Sequence, residues 1–416
     1  MSKRVLILIE GDSTCNGPQY VQAAQHLGLR PVTLSTNPTR HAYLEVQGTQ
    51  AITVDTDDLD ALVAECSRLR EAYDVAGITT SLEAVYATVG KLCQHLHLPG
   101  PNPTSIGQCC DKFTQRELLA RAGMPIPAYH SAENAAAVKR AAADIGLPVI
   151  LKPAVGSGSS GVRLCRNADE LAEHTTYLLD GGHIWPCPPR ILVEEFAQGP
   201  YYCAHVMGKE VIGIGASEFC PPPHFVFIQS VFPATLTDGE HRRIADVSLG
   251  CLQALGLGWG PTNVELRWTK RGPVVVEVNP RLSAGASLVK AAHGIDLAAE
   301  HIKVVIGKQC DLSRRHSQTA VSRCLIPDRD GILQWISGHS QAAALPGVAE
   351  IELYAEPKMH IVRKGDYRDW IGYIIAVSSN LDQAKDILQS AVKLIDWSIK
   401  PFPTKGERFI PSQHHP

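Results

Sequence analysis

The stretch from Pro148 to Leu164, PVILKPAVGSGSSGVRL, constrains the fold more than any other part of the chain. Val149, Ile150 and Leu151 read as a short buried strand that Lys152 ends, and Val162 to Cys165 reads as the strand returning. Three glycines (Gly156, Gly158, Gly161) and three serines (Ser157, Ser159, Ser160) crowd the turn between them. Glycine has no Cβ, so such a backbone can approach a ligand closely. Its N–H groups and hydroxyls suit phosphate oxygens, and Lys152 adds a point charge. The loop also spells G-x-G-x-x-G. A dinucleotide fingerprint, however, opens a helix and carries an acidic residue about 20 positions on. Here Val-Arg-Leu-Cys follows, so the loop joins two strands. A flap over a nucleotide triphosphate is the leading reading; a dinucleotide site and a plain flexible hairpin are the alternatives.

The chain has 416 residues, enough for two or three domains with sizeable cores. A net charge of −3 offers no basic footprint for nucleic acid or an anionic membrane. The apolar runs are too short to span a bilayer. The start, SKRVLILIEGD, reads as a first strand, because its apolar core meets acidic residues at once. Twelve cysteines are scattered without a C-x-x-C pair. That argues against structural zinc and a disulfide scaffold, and for reduced thiols in a cytoplasmic protein.

Strands at Val5–Ile9, 31–34, 51–54 and 75–79 alternate with helices at 18–27 and 58–72, which implies a parallel α/β domain over residues 1–110. Loops at its strand ends, Glu10 to Asn16 and Thr80 to Glu83, either line a substrate pocket or are plain connections. LPGPNPTS (98–105) marks a boundary. Helices are expected at Cys110–Ala122 and Ala132–Ile145, a loop at Pro186–Arg190, a strand at Ile191–Glu195, and helices at Asp238–Leu255 and Leu288–Val305. These place a second domain at 111–310, with a lid at about 128–193, and an α+β region at 311–416 that ends in a polar tail.

Two strands, Thr262–Trp268 and Pro273–Val278, make a hairpin across Lys270–Arg271–Gly272. Glu277 and Asn279 are two apart, so a strand points both to one face, and Glu265 can join them across the ladder. Two carboxylates and an amide oxygen suit a hard cation such as magnesium. Arg281, two residues further on, can neutralise a transferring phosphoryl group or a developing oxyanion. The bland alternative leaves Glu265 exposed and pairs Arg281 with Glu277. The apolar neighbours Val264, Leu266, Val275, Val276 and Val278 imply a buried sheet, where acidic residues need a reason.

Together DKFTQRELLARAGMPIP, KPAVGSGSSGV, LVEEF and VEVNPRLSAG resemble the ATP-grasp superfamily over about residues 1 to 310. The resemblance implies α/β and α+β architecture: an ATP-grasp fold with an N-terminal parallel α/β domain, a lid subdomain and a C-terminal α+β domain. It implies that Lys112 and Lys152 contact the ATP phosphates and that Ser157, Gly158 and Ser159 form the flap. Glu194 and Phe196, with Glu195 between them, would hold the adenine edge. Glu265, Glu277 and Asn279 would bind Mg2+, with Mn2+ as a substitute, and Arg281 would stabilise the acyl phosphate. One departure stands out: Tyr201 sits where the family places a ribose-binding Glu.

SRCLIPDRDGILQWISG, PGVAEIELYAEPKMHI and DWIGYIIAVSSNLDQAKDIL are similar to the terminal domain of bacterial L-amino-acid ligases, and PPPHFVFIQSVFPATL to the segment lining their amino-acid pocket. That implies a cytoplasmic homodimer joining two amino acids into a dipeptide, in biosynthesis of a peptide antibiotic or toxin. Neither nucleic acid nor membrane is a partner. Arg281, Ser283, Gly285, Ala286 and His224 are the expected substrate residues, with the amide of Gly285 or of Ala286 as the candidate oxyanion donor. His205, His224 and His293 are the candidate bases. Two alternatives stay open: an ATP-grasp ligase for a non-amino-acid carboxylate in siderophore or primary metabolism, and a regulatory nucleotide-binding module without chemistry.

Overall fold

In the computed structural model, residues 4–11, 16–181 and 190–402 are described. Residues 186–189 of the loop expected at Pro186–Arg190, part of the loop after Glu10, and the polar tail beyond 402 lie outside them. Four parallel strands open the chain, in the order Gln50–Thr53, Arg30–Ser35, Arg4–Ile9, Asp74–Thr79. Val5 to Ile9 are buried on both faces, as parallel strands between helices must be. The helix Leu59–Ala72 starts where Asp58 accepts from the amides of Asp60 and Ala61. Among the described residues no helix is long and apolar enough to cross a membrane.

One helix expected as continuous is broken. Gly294 stops Ala286–His293 in the left-handed region, at φ +72°, and Asp296 caps Leu297–Val305. An additional helix, Pro103–Cys110, occupies part of the expected link, and Asp111, extended, caps the next helix, Lys112–Arg121, by accepting from Thr114.

The lid is a four-stranded antiparallel sheet in the order Tyr129–Ala132, Ile191–Glu195, Val149–Pro153, Arg163–Cys165. The helices Ala135–Ile145 and Ala168–Leu179 cover one of its faces, burying Val138, Leu171 and Leu178 against Val149, Leu151 and Val193. The largest sheet has eight strands, in the order Gly272–Asn279, Pro261–Thr269, Tyr201–Met207, Glu210–Phe219, Phe227–Phe232, Thr319–Leu325, Gly372–Ser378, Val348–Leu353. Its last three strands come from beyond residue 310, so the C-terminal region continues the sheet that carries the acidic hairpin. A smaller sheet, His360–Ile361, Gly331–Ser337 and Asp396–Lys400, completes that region.

Candidate active site

The hairpin register sets the centre of the site. Glu265 lies directly opposite Glu277, and Asn263 opposite Asn279, with a bulge just after Glu265. Two carboxylates are thereby forced together in a buried sheet. Burial first, and the charge of Glu277 second, push the Glu265 carboxyl up to about 7. Burial also acts to raise Glu277, but Lys112 and then Lys152 outweigh it and hold Glu277 below its ordinary value. Lys112 donates to Glu277 and to the carbonyl of Gly156 at 2.7 Å, tying the hairpin to the flap. Tyr201 donates its hydroxyl to Glu265. The amides of Asn263 and Asn279 donate to the other Glu265 oxygen at 3.1 and 3.2 Å.

The lid supplies a second charge cluster. Glu194 is 1 % exposed and lies between Arg116 and Lys152, the latter at 2.7 Å. Burial acts to raise its carboxyl, yet Arg116 and Lys152 prevail and lower it to about 2. Glu195 instead faces outward, held by Arg271 at 2.8 Å and by the amide of Ala128 at 3.1 Å. Phe196 lies on Phe225, with their centroids 6.1 Å apart, and the Arg267 guanidinium sits 5.7 Å from the Phe196 centroid.

One cavity of about 290 Å³ gathers Lys112, Lys152, Ser157, Gly158, Ser159, Glu194, Glu195, Phe196, Tyr201, Glu265, Glu277, Asn279, Arg281, Ser283 and Gly285. Ser159 and Gly158 both take positive φ, at +66° and +61°, and fold the flap back on itself. Arg281 pairs with Glu83 of the N-terminal domain at 2.8 Å rather than with Glu277. The Thr80 to Glu83 loop therefore reaches the site through its last residue.

Two expectations are corrected. His224 and Ala286 are not among the cavity-lining residues. A Cβ at Gly365 would fall 2.7 Å from the His224 ring, which places that ring against the C-terminal loop. The amides proposed as oxyanion donors are engaged elsewhere: Gly285 donates to the Ser283 hydroxyl at 3.1 Å and Ala286 to the Ser283 carbonyl at 3.1 Å. Among the candidate bases His205 lines the cavity, 3.1 Å from Ser283, and burial lowers it to about 4. His293 lies outside, against Phe232.

Arg116, Asn263 and Arg267 escaped the sequence reading. A period of two from Glu265 puts Asn263 and Arg267 on its face, a signal that was available. Arg116 sat unremarked in DKFTQRELLARAG.

The donor set fits magnesium. Among the described residues no group of three or more His, Cys, Asp or Glu side chains could hold a metal. A divalent ion would rest on Glu265, Glu277 and the Asn279 oxygen, with nucleotide phosphates completing its shell, as is usual for Mg2+. The crowded carboxylate pair is itself a reason for a cation, and the buried Asn263 oxygen, one row away, makes no hydrogen bond to any described residue.

Comparison with known proteins agrees with this geometry. Residues 111–313 match the ATP-binding domain of the carbamoyl-phosphate synthase L chain, 21–100 the ATP-grasp N-terminal domain, and 323–400 the L-amino acid ligase C-terminal domain 2. The chain belongs to the ATP-grasp superfamily. It is 56 % identical over 402 residues to the uncharacterised protein y4rH of Sinorhizobium fredii, covering 96 % of this chain and 84 % of that one. Carnosine synthase 1 of Homo sapiens is 28 % identical over 246 residues, 54 % of this chain but 30 % of the synthase. The ATP-grasp fold is shared with the L-amino acid ligase of Bacillus licheniformis (TM-score 0.80, 19 % identity, 96 % of this chain and 100 % of that one). It is shared too with phosphoribosylglycinamide synthetase of Anaerococcus prevotii (TM-score 0.71, 21 % identity, 96 % and 100 %). The protein thus has the ATP-grasp fold of an L-amino acid ligase.

Proposed function

We propose that this ligase joins two L-amino acids into a dipeptide at the expense of ATP, in the biosynthesis of a peptide antibiotic or toxin. The observation that carries the reading is the composition of one cavity. Lys112, Lys152, Glu265, Glu277 and Arg281 line it together with residues of the glycine flap. Tyr354, Trp370 and Tyr373, within the segment that matches an L-amino acid ligase domain, line it too.

In the proposed reaction a carboxylate oxygen of the first amino acid attacks the γ-phosphorus of ATP. The bond to the β-bridging oxygen breaks, ADP leaves, and an acyl phosphate remains. The neutral amine of the second amino acid then attacks the carbonyl carbon. A C–N bond forms, the C–O bond to phosphate breaks, phosphate departs with the electron pair, and the amine proton passes to solvent. Lys112 and Lys152 offset charge on the phosphates, and Arg281, oriented by Glu83, faces the developing oxyanion. Mg2+ held by Glu265, Glu277 and Asn279 would supply Lewis-acid charge to the phosphate oxygens. The flap excludes water that would hydrolyse the acyl phosphate.

Phosphate release from MgATP with amino-acid pools tests the reading. Release that requires pairs of amino acids, with dipeptide found by mass spectrometry, supports it. Release with a different carboxylic acid, or nucleotide binding without turnover under every pool, overturns it. Glu277→Gln should abolish turnover while the circular dichroism spectrum stays that of the parent.

A further inference from the structure

The cavity lining mixes two kinds of residue. Its charged residues all fall between Lys112 and Arg281 in the chain, and the lining residues contributed after Arg281 carry no charge. Aromatic rings lead away from the metal carboxylates in a chain of edge-on contacts: Tyr201 to Phe219 at 4.7 Å, Phe219 to Phe227 at 5.8 Å, Phe227 to Trp370 at 5.8 Å. Tyr354 and Tyr373, with centroids 6.0 Å apart, add to the wall, and Ile375 and Leu288 also line it.

The polar ends of Trp370 and Tyr373 are already used by the protein. Trp370 donates its indole N–H to the Phe227 carbonyl at 3.1 Å. Tyr373 donates to Glu350 and to Glu352, carboxylates that are not part of the lining. Ser230, on the sheet floor, donates to the Ala216 carbonyl at 2.8 Å and lies 3.2 Å from the Ser217 hydroxyl. Ring faces and edges are what such a wall offers a ligand. Large apolar groups gain most from that surface, through burial and through aromatic contact. A charged side chain would be desolvated there without a partner.

We propose that Phe219, Phe227, Tyr354, Trp370 and Tyr373 form a side-chain subsite, so that one of the two joined amino acids carries an aromatic or other large apolar side chain. The proposal rests on the dipeptide reading above and names the substrate class that this reading leaves open. The ring chain starts at the Glu265 partner Tyr201, so an amino acid with its carboxylate near the metal residues and Arg281 would extend its side chain along the rings.

The test uses the full chain with MgATP and a common pool of co-substrates. Phenylalanine, tyrosine, tryptophan, leucine and methionine are compared with glycine, alanine, aspartate and lysine, reading phosphate release and dipeptide. The large apolar set is expected to exceed the others by about tenfold or more in kcat/KM, the range that pocket contacts of this kind discriminate. Trp370→Ala should lower kcat/KM for the large set by about tenfold, leave the KM for ATP within about twofold, and spare small substrates; Trp370→Phe should restore most of the loss. Preference for small or charged amino acids, or a Trp370→Ala enzyme that loses all substrates equally, overturns the subsite. If Trp370→Ala does not fold, Phe227→Leu must show the same selective loss, and its absence overturns the proposal. Failure of every amino-acid pair to turn over would sink the dipeptide reading instead. Calorimetric titration of phenylalanine against glycine and lysine, with a non-hydrolysable ATP analogue, then decides the subsite alone: selective binding of phenylalanine upholds it, and no binding overturns it.

Discussion

Glu194 is a carboxylate whose surroundings decide both stability and pH response. Its pKa is lowered to about 2, so the folded state binds its proton more weakly than the unfolded chain does. The stabilisation, on the order of 3 kcal/mol, is fully present above about pH 4.5 and is lost as pH falls from there towards 2. Glu194→Ala strands the buried charges of Arg116 and Lys152, and breaking such a cluster costs about 3–5 kcal/mol. Urea unfolding of parent and variant at pH 7 should show that gap, and the gap should narrow at pH 3. Arg281 gives the residue-scale prediction for rate. Arg281→Ala should lower kcat on the order of 10²-fold, as removal of a transition-state donor does. Glu83→Gln, which keeps a hydrogen-bond acceptor but removes the orienting charge, should lose about tenfold in kcat with the KM for ATP little changed. Equal activity of Glu83→Gln and parent would refute the orienting role. Spacing alone put Glu265, Glu277, Asn279 and Arg281 in one neighbourhood, because two-residue periodicity on a strand is rigid. It could not find Glu83 as the partner of Arg281, since the two are 198 positions apart and only tertiary packing joins them.

Among the elements, the flap shows why its sequence is so poor in side chains. Gly158 sits at φ +61°, and a Cβ there would fall 2.4 Å from Cδ1 of Tyr367. The Tyr367 amide also donates to the Gly158 carbonyl at 3.1 Å. Gly158→Ala should therefore push the flap off its seat and raise the KM for ATP, by about tenfold if the strain is 1–2 kcal/mol. Steady-state kinetics with ATP as the varied substrate would show it; an unchanged KM would mean that the flap does not depend on that contact. Strands were the most legible elements, since runs such as VLILI and VVVEV are short, apolar and β-branched. The break within Leu288–Val305 was not, because apolar spacing continues through Gly294 while a left-handed turn and a new cap divide it. The ring wall was only partly legible: Phe227 lies in PPPHFVFIQSVFPATL, but Phe219, Tyr354 and Trp370 come from separate segments with no shared local pattern.

For the whole molecule, the eight-stranded sheet makes the nucleotide half and the C-terminal region one structure. Strand Phe227–Phe232 pairs with Thr319–Leu325 through Gln229↔Arg323 to Phe232↔Ala320. A chain ending at residue 318 would leave that strand as a bare edge and uncover Ile375 contacts in the main core. Such a truncation should aggregate on size-exclusion chromatography and bind no ATP; a monodisperse, nucleotide-binding fragment would show the halves to be separable. The contact between Tyr367 and Gly158 carries this interdependence into any attempt at recombination. A donor segment grafted in to change which amino acids are accepted would also replace the surface on which the phosphate-covering loop rests. Chimeras that import new selectivity without a matching aromatic at position 367 should accept their new substrates yet squander ATP, spilling activated acid to water before it meets an amine.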